Sequence, residues 1–310
     1  MPMKNQTTET EFILLGLSSD PQMQIFLFSV FLVIYLITLG GNMVIIVVIK
    51  VDSHLHTPMY FFLFHLSFVD ICYSSVTVPN MLRNFLAVHK TISVNGCIAQ
   101  IFFFFLSASA EIFILSAMAY DRYSAICDPL RYMERMSKRI CVQLVSGAWT
   151  IAFFYALLNI IFTLKLHFCG SNQIHHFSCE LPPLLQLACT DTLTNQVVLL
   201  TSAVISGSFL LTLISYIYIV STILRIRSAE GRRKAFSTCS SHLIVVGLWY
   251  LTAFFQYTKP SSVSSVVLDE IFSIQYSILT PMLNPIIYSL KNKEVKIALG
   301  KTLGKLKFLK

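Results

Sequence analysis

Apolar residues in this chain fall in long unbroken blocks, not in the alternation of a half-buried strand or the narrow stripe of a surface helix. The first block, Ile25 to Ile49, holds 25 residues without a charge. At the rise of an α-helix that exceeds the ~30 Å of a bilayer's hydrocarbon. Seven such blocks predict helices over about 25–49, 58–82, 98–126, 141–164, 196–226, 234–258 and 270–290. The sixth has the weakest hydropathy, because Ser237, Thr238, Ser240, Ser241 and His242 make its first half polar. No polar linker separates the blocks, so the reading is one domain over 1–310: an all-α membrane protein, a seven-transmembrane helix bundle. Residues 1–24 are polar and show no basic segment leading into an apolar core and a small-residue cleavage site, so the first span reads as permanent.

Composition agrees. Hydrophobic residues make up 55% of the 310, and charged residues only 12%, about half the share usual in soluble domains. Mean hydropathy is +0.70. The few charges are unevenly placed. With the N-terminus outside, the inner segments hold Lys50, the group from Arg122 to Arg139, the group from Arg225 to Lys234 and seven lysines from Lys291 to Lys310, eighteen of the 23 basic residues. Basic residues concentrate on the cytoplasmic side of membrane proteins, so the chain is expected N-terminus outside and C-terminus inside. The sequon Asn5-Gln6-Thr7 then falls outside, where it can be glycosylated. In the tail, 291–310, Val295, Leu299 and Leu303 recur every four residues between lysines, the pattern of a short amphipathic C-terminal helix on anionic lipid.

Cys97, Cys169, Cys179 and Cys189 lie on the outer side, where disulfides persist; four cysteines allow three pairings. The segment from about Lys165 to Asn195 is long for a connection, and a disulfide to Cys97 would fold it over the bundle as a lid. His167, His175 and His176 beside Cys169 and Cys179 are metal-ligand types, but disulfides would consume the thiolates.

Two carboxylates stand inside apolar blocks, Asp70 and Glu111. Ionised groups in hydrocarbon cost several kcal/mol and so face the bundle interior, paired. Two acids without a base repel; one takes up a proton, or a hard cation binds between them. Arg122 lies 11 residues beyond Glu111, back near the same face of the third helix and about 16 Å further along it. Asp121 precedes it. Pro281 and Pro285 interrupt the backbone bonding of the seventh helix, which makes it a bistable element beside the acids.

Four motifs occur in order: Leu55-His56-Thr57-Pro58-Met59-Tyr60-Phe61-Phe62-Leu63, Met118-Ala119-Tyr120-Asp121-Arg122-Tyr123 through Cys127, Lys234-Ala235-Phe236-Ser237-Thr238-Cys239 through Leu243, and Pro281-Met282-Leu283-Asn284-Pro285-Ile286-Ile287-Tyr288. Together they resemble the vertebrate olfactory (odorant) receptors of the rhodopsin-like G-protein-coupled class, in the tetrapod-type division. Two positions depart from the family pattern: Ser124 replaces a common valine, and Leu251 replaces a common glycine, adding bulk near the expected pocket floor.

The resemblance implies a non-enzymatic receptor for a small-molecule odorant. It would act through a heterotrimeric G protein of the stimulatory, olfactory type and raise cyclic AMP from the plasma membrane of sensory cilia. It implies disulfides Cys97–Cys179 and Cys169–Cys189. It also implies an ion site of Asp70, Glu111, Asn42 and Asn284, with no cofactor beyond a sodium ion there, and no nucleic-acid partner. Activation would free Arg122 from Asp121, next to Tyr123, to meet the G protein and Tyr216, while the Asn284-Pro285 turn swings Tyr288 toward Tyr216. The ligand would sit in the outer halves of the helices against Phe104, Phe105, Ala108, Ser109, Asn159, Thr201, Ile205, Tyr250, Ala253, Phe254, Tyr257, Ile274 and Ser277. That set carries no charge, which suits a mostly apolar molecule with one or two polar atoms. Of Phe102 to Phe105, two must face elsewhere, since four consecutive helical residues cannot share one cavity.

Other functions fit less well. A transporter would show internal repeats. A retinal protein needs a lysine in the seventh span, Ile271 to Leu290, and none is there. An intramembrane protease could use Asp70 and Glu111, but nothing suggests a water path.

Overall fold

The computed structural model describes residues 11–168, 171–194, 203–258, 266–291 and 293–307. Seven long helices form the bundle. The first, α1 (Pro21–Val51), starts four residues before the apolar block. Asp20 caps it by accepting from the Met23 N–H, and Pro21 sits at the first turn, where its missing donor costs nothing. Helix α2 (Pro58–Leu86) likewise begins on a proline. Helix α3 (Val94–Cys127) is capped by Ser93, whose hydroxyl accepts from Gly96 at 3.1 Å.

Helix α3 is the axis of the molecule. It packs against α2, against α4 (Lys138–Thr163), α5 (Ala203–Arg225) and α6 (Ala229–Thr258). In its most apolar stretch 78% of residues are buried, against 28% in α1, whose outward face is left apolar. That contrast is what lipid solvation demands, because a helix on the rim needs no polar face. Among the described residues, six helices are each long and apolar enough to span a bilayer. The seventh span is α6, bent by 46° around Thr238, in the polar half that weakened its hydropathy.

Helix α7 is composite: Val266–Ile274, a π-helical turn Gln275–Leu279, and Thr280–Lys291. Gly41 of α1 lets it approach closely; a Cβ there would stand 3.1 Å from the Pro285 ring. Helix α8 (Lys293–Lys307) follows, with Val295 and Ala298 buried and Ile297 exposed. The Tyr60 hydroxyl ties its start to α2 by donating to Glu294 at 2.6 Å.

A small sheet that the sequence reading does not foresee closes one end of the bundle. Strand β1 (Glu11–Leu14) runs antiparallel to β2 (Thr91–Ser93) and parallel to β3 (Gln173–Ile174). Phe12 and Leu14 are buried beneath it. The segment before α1 is therefore structural, threaded between the α2–α3 connection and the long loop after α4.

Candidate functional site

Below the sheet lies a cavity of about 40 Å³, room for the centres of a few water-sized spheres. Phe104, Phe105, Ala108, Ser109 and Ile112 of α3 form one wall. Tyr73, Tyr155, Trp249, Ala253 and Tyr276 complete it from α2, α4, α6 and α7. Phe104 meets Tyr73 and Tyr276 edge-on, and Phe105 meets Tyr155 the same way. Phe103 points outward, half exposed, and Phe102 packs on Phe153 of α4.

Of the residues expected around a ligand, Phe104, Phe105, Ala108, Ser109 and Ala253 line this cavity. Tyr250 turns aside and donates to the Ser208 hydroxyl at 3.2 Å. Asn159 is buried within α4 and donates to the Tyr155 carbonyl at 2.9 Å. Ser277 donates to its own helix at Ser273, and Ile274 packs with Phe31 and Ile278 away from the cavity. Phe254 sits 100° past Ala253 and so faces the outer surface. Leu251 does the same, at 61% exposed, so its bulk leaves the cavity floor untouched, contrary to the sequence expectation. Thr201 and the side chains of Ile205 and Tyr257 lie outside the described residues. Tyr73, Ile112, Tyr155, Trp249 and Tyr276 are wall residues the sequence reading misses.

The roof is the loop after α4. Cys97 at the start of α3 is disulfide-bonded to Cys179. Gln100 holds the same point, accepting from the Cys179 N–H at 3.0 Å while donating to the Val76 carbonyl at 3.0 Å. Cys189 is also disulfide-bonded; Cys169 lies outside the described residues. Beside Cys179 the lid buries a carboxylate, Glu180. It accepts from the hydroxyls of Ser178 at 3.1 Å, Ser273 at 2.9 Å, and Tyr276. The helices supply no acid to the cavity, but the lid supplies one directly behind a cavity residue.

Deeper along α3 are the two membrane acids. Asp70 and Glu111 are fully buried. The Asn284 amide donates to both Asp70 oxygens at 3.0 and 3.1 Å and to Glu111 at 3.4 Å. Asn42 contributes differently, bonding the carbonyls of Thr38 and Pro281 at 3.0 Å each and tying α1 to α7. One amide thus serves two acids, and Glu111 Oε2, Asn42 Oδ1 and Asn284 Oδ1 remain buried without a hydrogen-bond partner. Of these groups, the paired carboxylates Asp70 and Glu111 are the ones that could hold a shared proton or a small hard cation.

At the far end of α3, Arg122 is buried and closed onto Asp121, its Nε at 3.1 Å and a terminal nitrogen at 2.7 Å from one carboxylate oxygen. The other oxygen accepts from Tyr132 at 2.8 Å, on the one-turn helix Tyr132–Arg135. Burial and the neighbouring Asp121 charge push the Tyr132 phenol well above its ordinary range, so it stays a donor. Tyr123 stacks on Tyr120 instead of joining the pair.

Tyr216 is engaged elsewhere. Its hydroxyl meets Nδ1 of His242 at 2.5 Å, while Nε2 of His242 lies 2.9 Å from the Leu115 carbonyl. The carbonyl can only accept, so Nε2 carries the proton and Nδ1 accepts from Tyr216. This bridge joins α3, α5 and α6, and the sequence reading misses His242. Tyr288 is fully buried and its hydroxyl has no partner; Ser124 is buried with an unpartnered hydroxyl too.

The site thus belongs to a helical membrane bundle with a roofed apolar cavity and a closed ion pair on one central helix. The sequence profile described as "Olfactory receptor" matches residues 31–305. Mouse olfactory receptor 5G9 is 51% identical over 313 aligned positions, covering all of both chains. Human olfactory receptor 5G3 is 52% identical, covering all of this chain and 99% of its own. Human olfactory receptor 5M10 is 52% identical over 95% of this chain and 94% of its own. The chain belongs to the olfactory receptor family, which is multi-pass in the membrane and not enzymatic.

Proposed function

We propose that this receptor binds a small, mostly apolar volatile in the cavity between α3, α4, α6 and α7, and passes the event along α3 to a stimulatory, olfactory-type G protein that raises cyclic AMP. The observation that carries this reading is the continuity of one helix. Phe104 to Ile112 form the cavity wall, Glu111 shares Asn284 with Asp70, and Arg122 closes on Asp121. The cavity is smaller than an odorant, so entry requires the rings of Phe104, Trp249 and Tyr276 to give way. Those rings sit on α3, α6 and α7, and their displacement would disturb the His242 bridge and the Asn284 cluster. The orientation that goes with this reading puts the N-terminus and lid outside, as the basic-residue bias supports, in the plasma membrane of sensory cilia. Asn5 would then be glycosylated.

A screen of volatile compounds in cells that report cyclic AMP tests the function. An agonist should lose its effect in Ala253→Trp at equal surface expression; a response that survives the filled cavity, or one carried without cyclic AMP, would refute the reading.

We also propose that Asp70, Glu111 and Asn284 hold sodium or a shared proton that favours the closed ion pair. Replacing sodium by choline, or Glu111 by Gln, should shift agonist potency and basal signalling. If neither change moves either readout, the site does not act.

A further inference from the structure

Six of the ten described residues that wall the cavity are aromatic: Tyr73, Phe104, Phe105, Tyr155, Trp249 and Tyr276. Five of them form one edge-to-face chain. Between ring centres and planes, Phe104 meets Tyr73 at 5.4 Å and 71°, Tyr276 at 5.7 Å and 70°, and Phe105 at 5.7 Å and 85°. Phe105 meets Tyr155 at 5.8 Å and 88°. The chain thus crosses α2, α3, α4 and α7, with Phe104 at its centre. Trp249 stands apart: its ring meets Tyr250, which does not line the cavity, and none of the other described wall rings. Phe104 and Phe105 carry no polar side-chain atom, so what they offer a guest is ring.

At about 40 Å³ the cavity admits an odorant only by parting these rings. Parting them breaks edge-to-face pairs around Phe104. A ring's edge is positive and its face negative, so a wall ring that loses its partner needs a guest with a face to receive its edge. An aromatic guest has such a face. A saturated ring or an alkyl chain has none, and the saturated ring is also thicker than a flat one. From this geometry we infer that the cavity selects odorants built on a planar aromatic ring, benzenoid or heteroaromatic, over saturated odorants of the same outline and polar group. Phe104 and Trp249 are the contacts, the first through the pairs it loses on opening, the second through a ring that no other described wall ring meets. The inference rests on the cavity being the odorant site.

The experiment uses the full chain in cells reporting cyclic AMP, with surface expression measured, and matched pairs of ligands: benzaldehyde with cyclohexanecarbaldehyde, acetophenone with cyclohexyl methyl ketone, and anisole with methoxycyclohexane. Wild type should respond to the aromatic member of each pair at concentrations about tenfold lower, the effect of two restored ring pairs. Phe104→Leu keeps an apolar side chain and removes the central ring, so it should close most of that gap by weakening the aromatic responses. Phe103→Leu, on the half-exposed outer face of the same helix, should leave the gap intact. If Phe104→Leu does not reach the surface, Phe105→Leu and the wild-type gap decide. Saturated members that equal or exceed the aromatic ones in wild type, no response to any aromatic member, or a gap that survives both Phe104→Leu and Phe105→Leu would overturn the inference. Ala253→Trp separates the two claims: if it silences every ligand while wild type prefers neither class, the cavity reading stands and this one falls. If it silences none, the cavity reading falls and takes this one with it.

Discussion

Replacing Tyr132 by phenylalanine removes one oxygen atom and nothing else. That oxygen donates to Asp121 at 2.8 Å, on the carboxylate oxygen that Arg122 does not use. Without it, half of the Asp121 carboxylate loses its partner, and the residue is fully buried. A hydrogen bond to a charged group contributes roughly 1.5–3 kcal/mol. Tyr132 is only partly buried, so water can replace part of the bond, and a net loss of about 1 kcal/mol is the reasonable figure. If the bond belongs to the closed state alone, the closed-to-open ratio falls by roughly fivefold. Basal cyclic AMP per surface receptor should rise by about that factor in Tyr132→Phe, measured without odorant and normalised to antibody-labelled receptor on intact cells. An unchanged or lower basal signal would mean that the Tyr132–Asp121 bond persists in the open state, and the lock assigned to this end of α3 would be wrong.

Two further outcomes test parts of the fold. Leu14→Ala empties a buried position under the three-stranded sheet and should cost about 2–5 kcal/mol, seen as a fall in surface expression and in the melting temperature of purified receptor; an unaffected protein would show that β1 is not part of the folded lid. Gly41→Leu forces a side chain against the Pro285 ring and should separate α1 from α7, lowering thermal stability by roughly 1–3 kcal/mol, whereas Gly40→Leu, with nothing within 4 Å of its Cβ position, should be silent.

Much of the architecture was legible because a membrane makes hydropathy decisive. A helix solvated by lipid announces itself over twenty residues, and α1 to α4 lie where the apolar blocks stand. Periodicity also sorted Phe102 to Phe105: the inner pair reached the cavity, and the outer pair did not. What stayed hidden were contacts between residues remote in sequence. Strand β1 is four residues in a polar stretch, and its partners lie about 80 and 160 residues away. His242 is only one of the polar residues in the weakest span, yet it bridges α3, α5 and α6. Glu180 stands in no motif, and nothing in the chain says that Ser273 and Tyr276 come beneath it. A carboxylate four residues after His176, next to a lid cysteine, is the signal the sequence carries. Tyr132 was equally overlooked, being a tyrosine outside any motif.

In the proposed function one helix, α3, carries the event from the cavity to Arg122. This is tested most directly with purified receptor in vesicles, by measuring agonist binding and agonist-evoked nucleotide exchange on a stimulatory G protein side by side for wild type and Arg122→Ala. Arg122→Ala should still bind the agonist, within a few-fold of wild type, and evoke no exchange. Exchange that persists at the wild-type level in Arg122→Ala would contradict it.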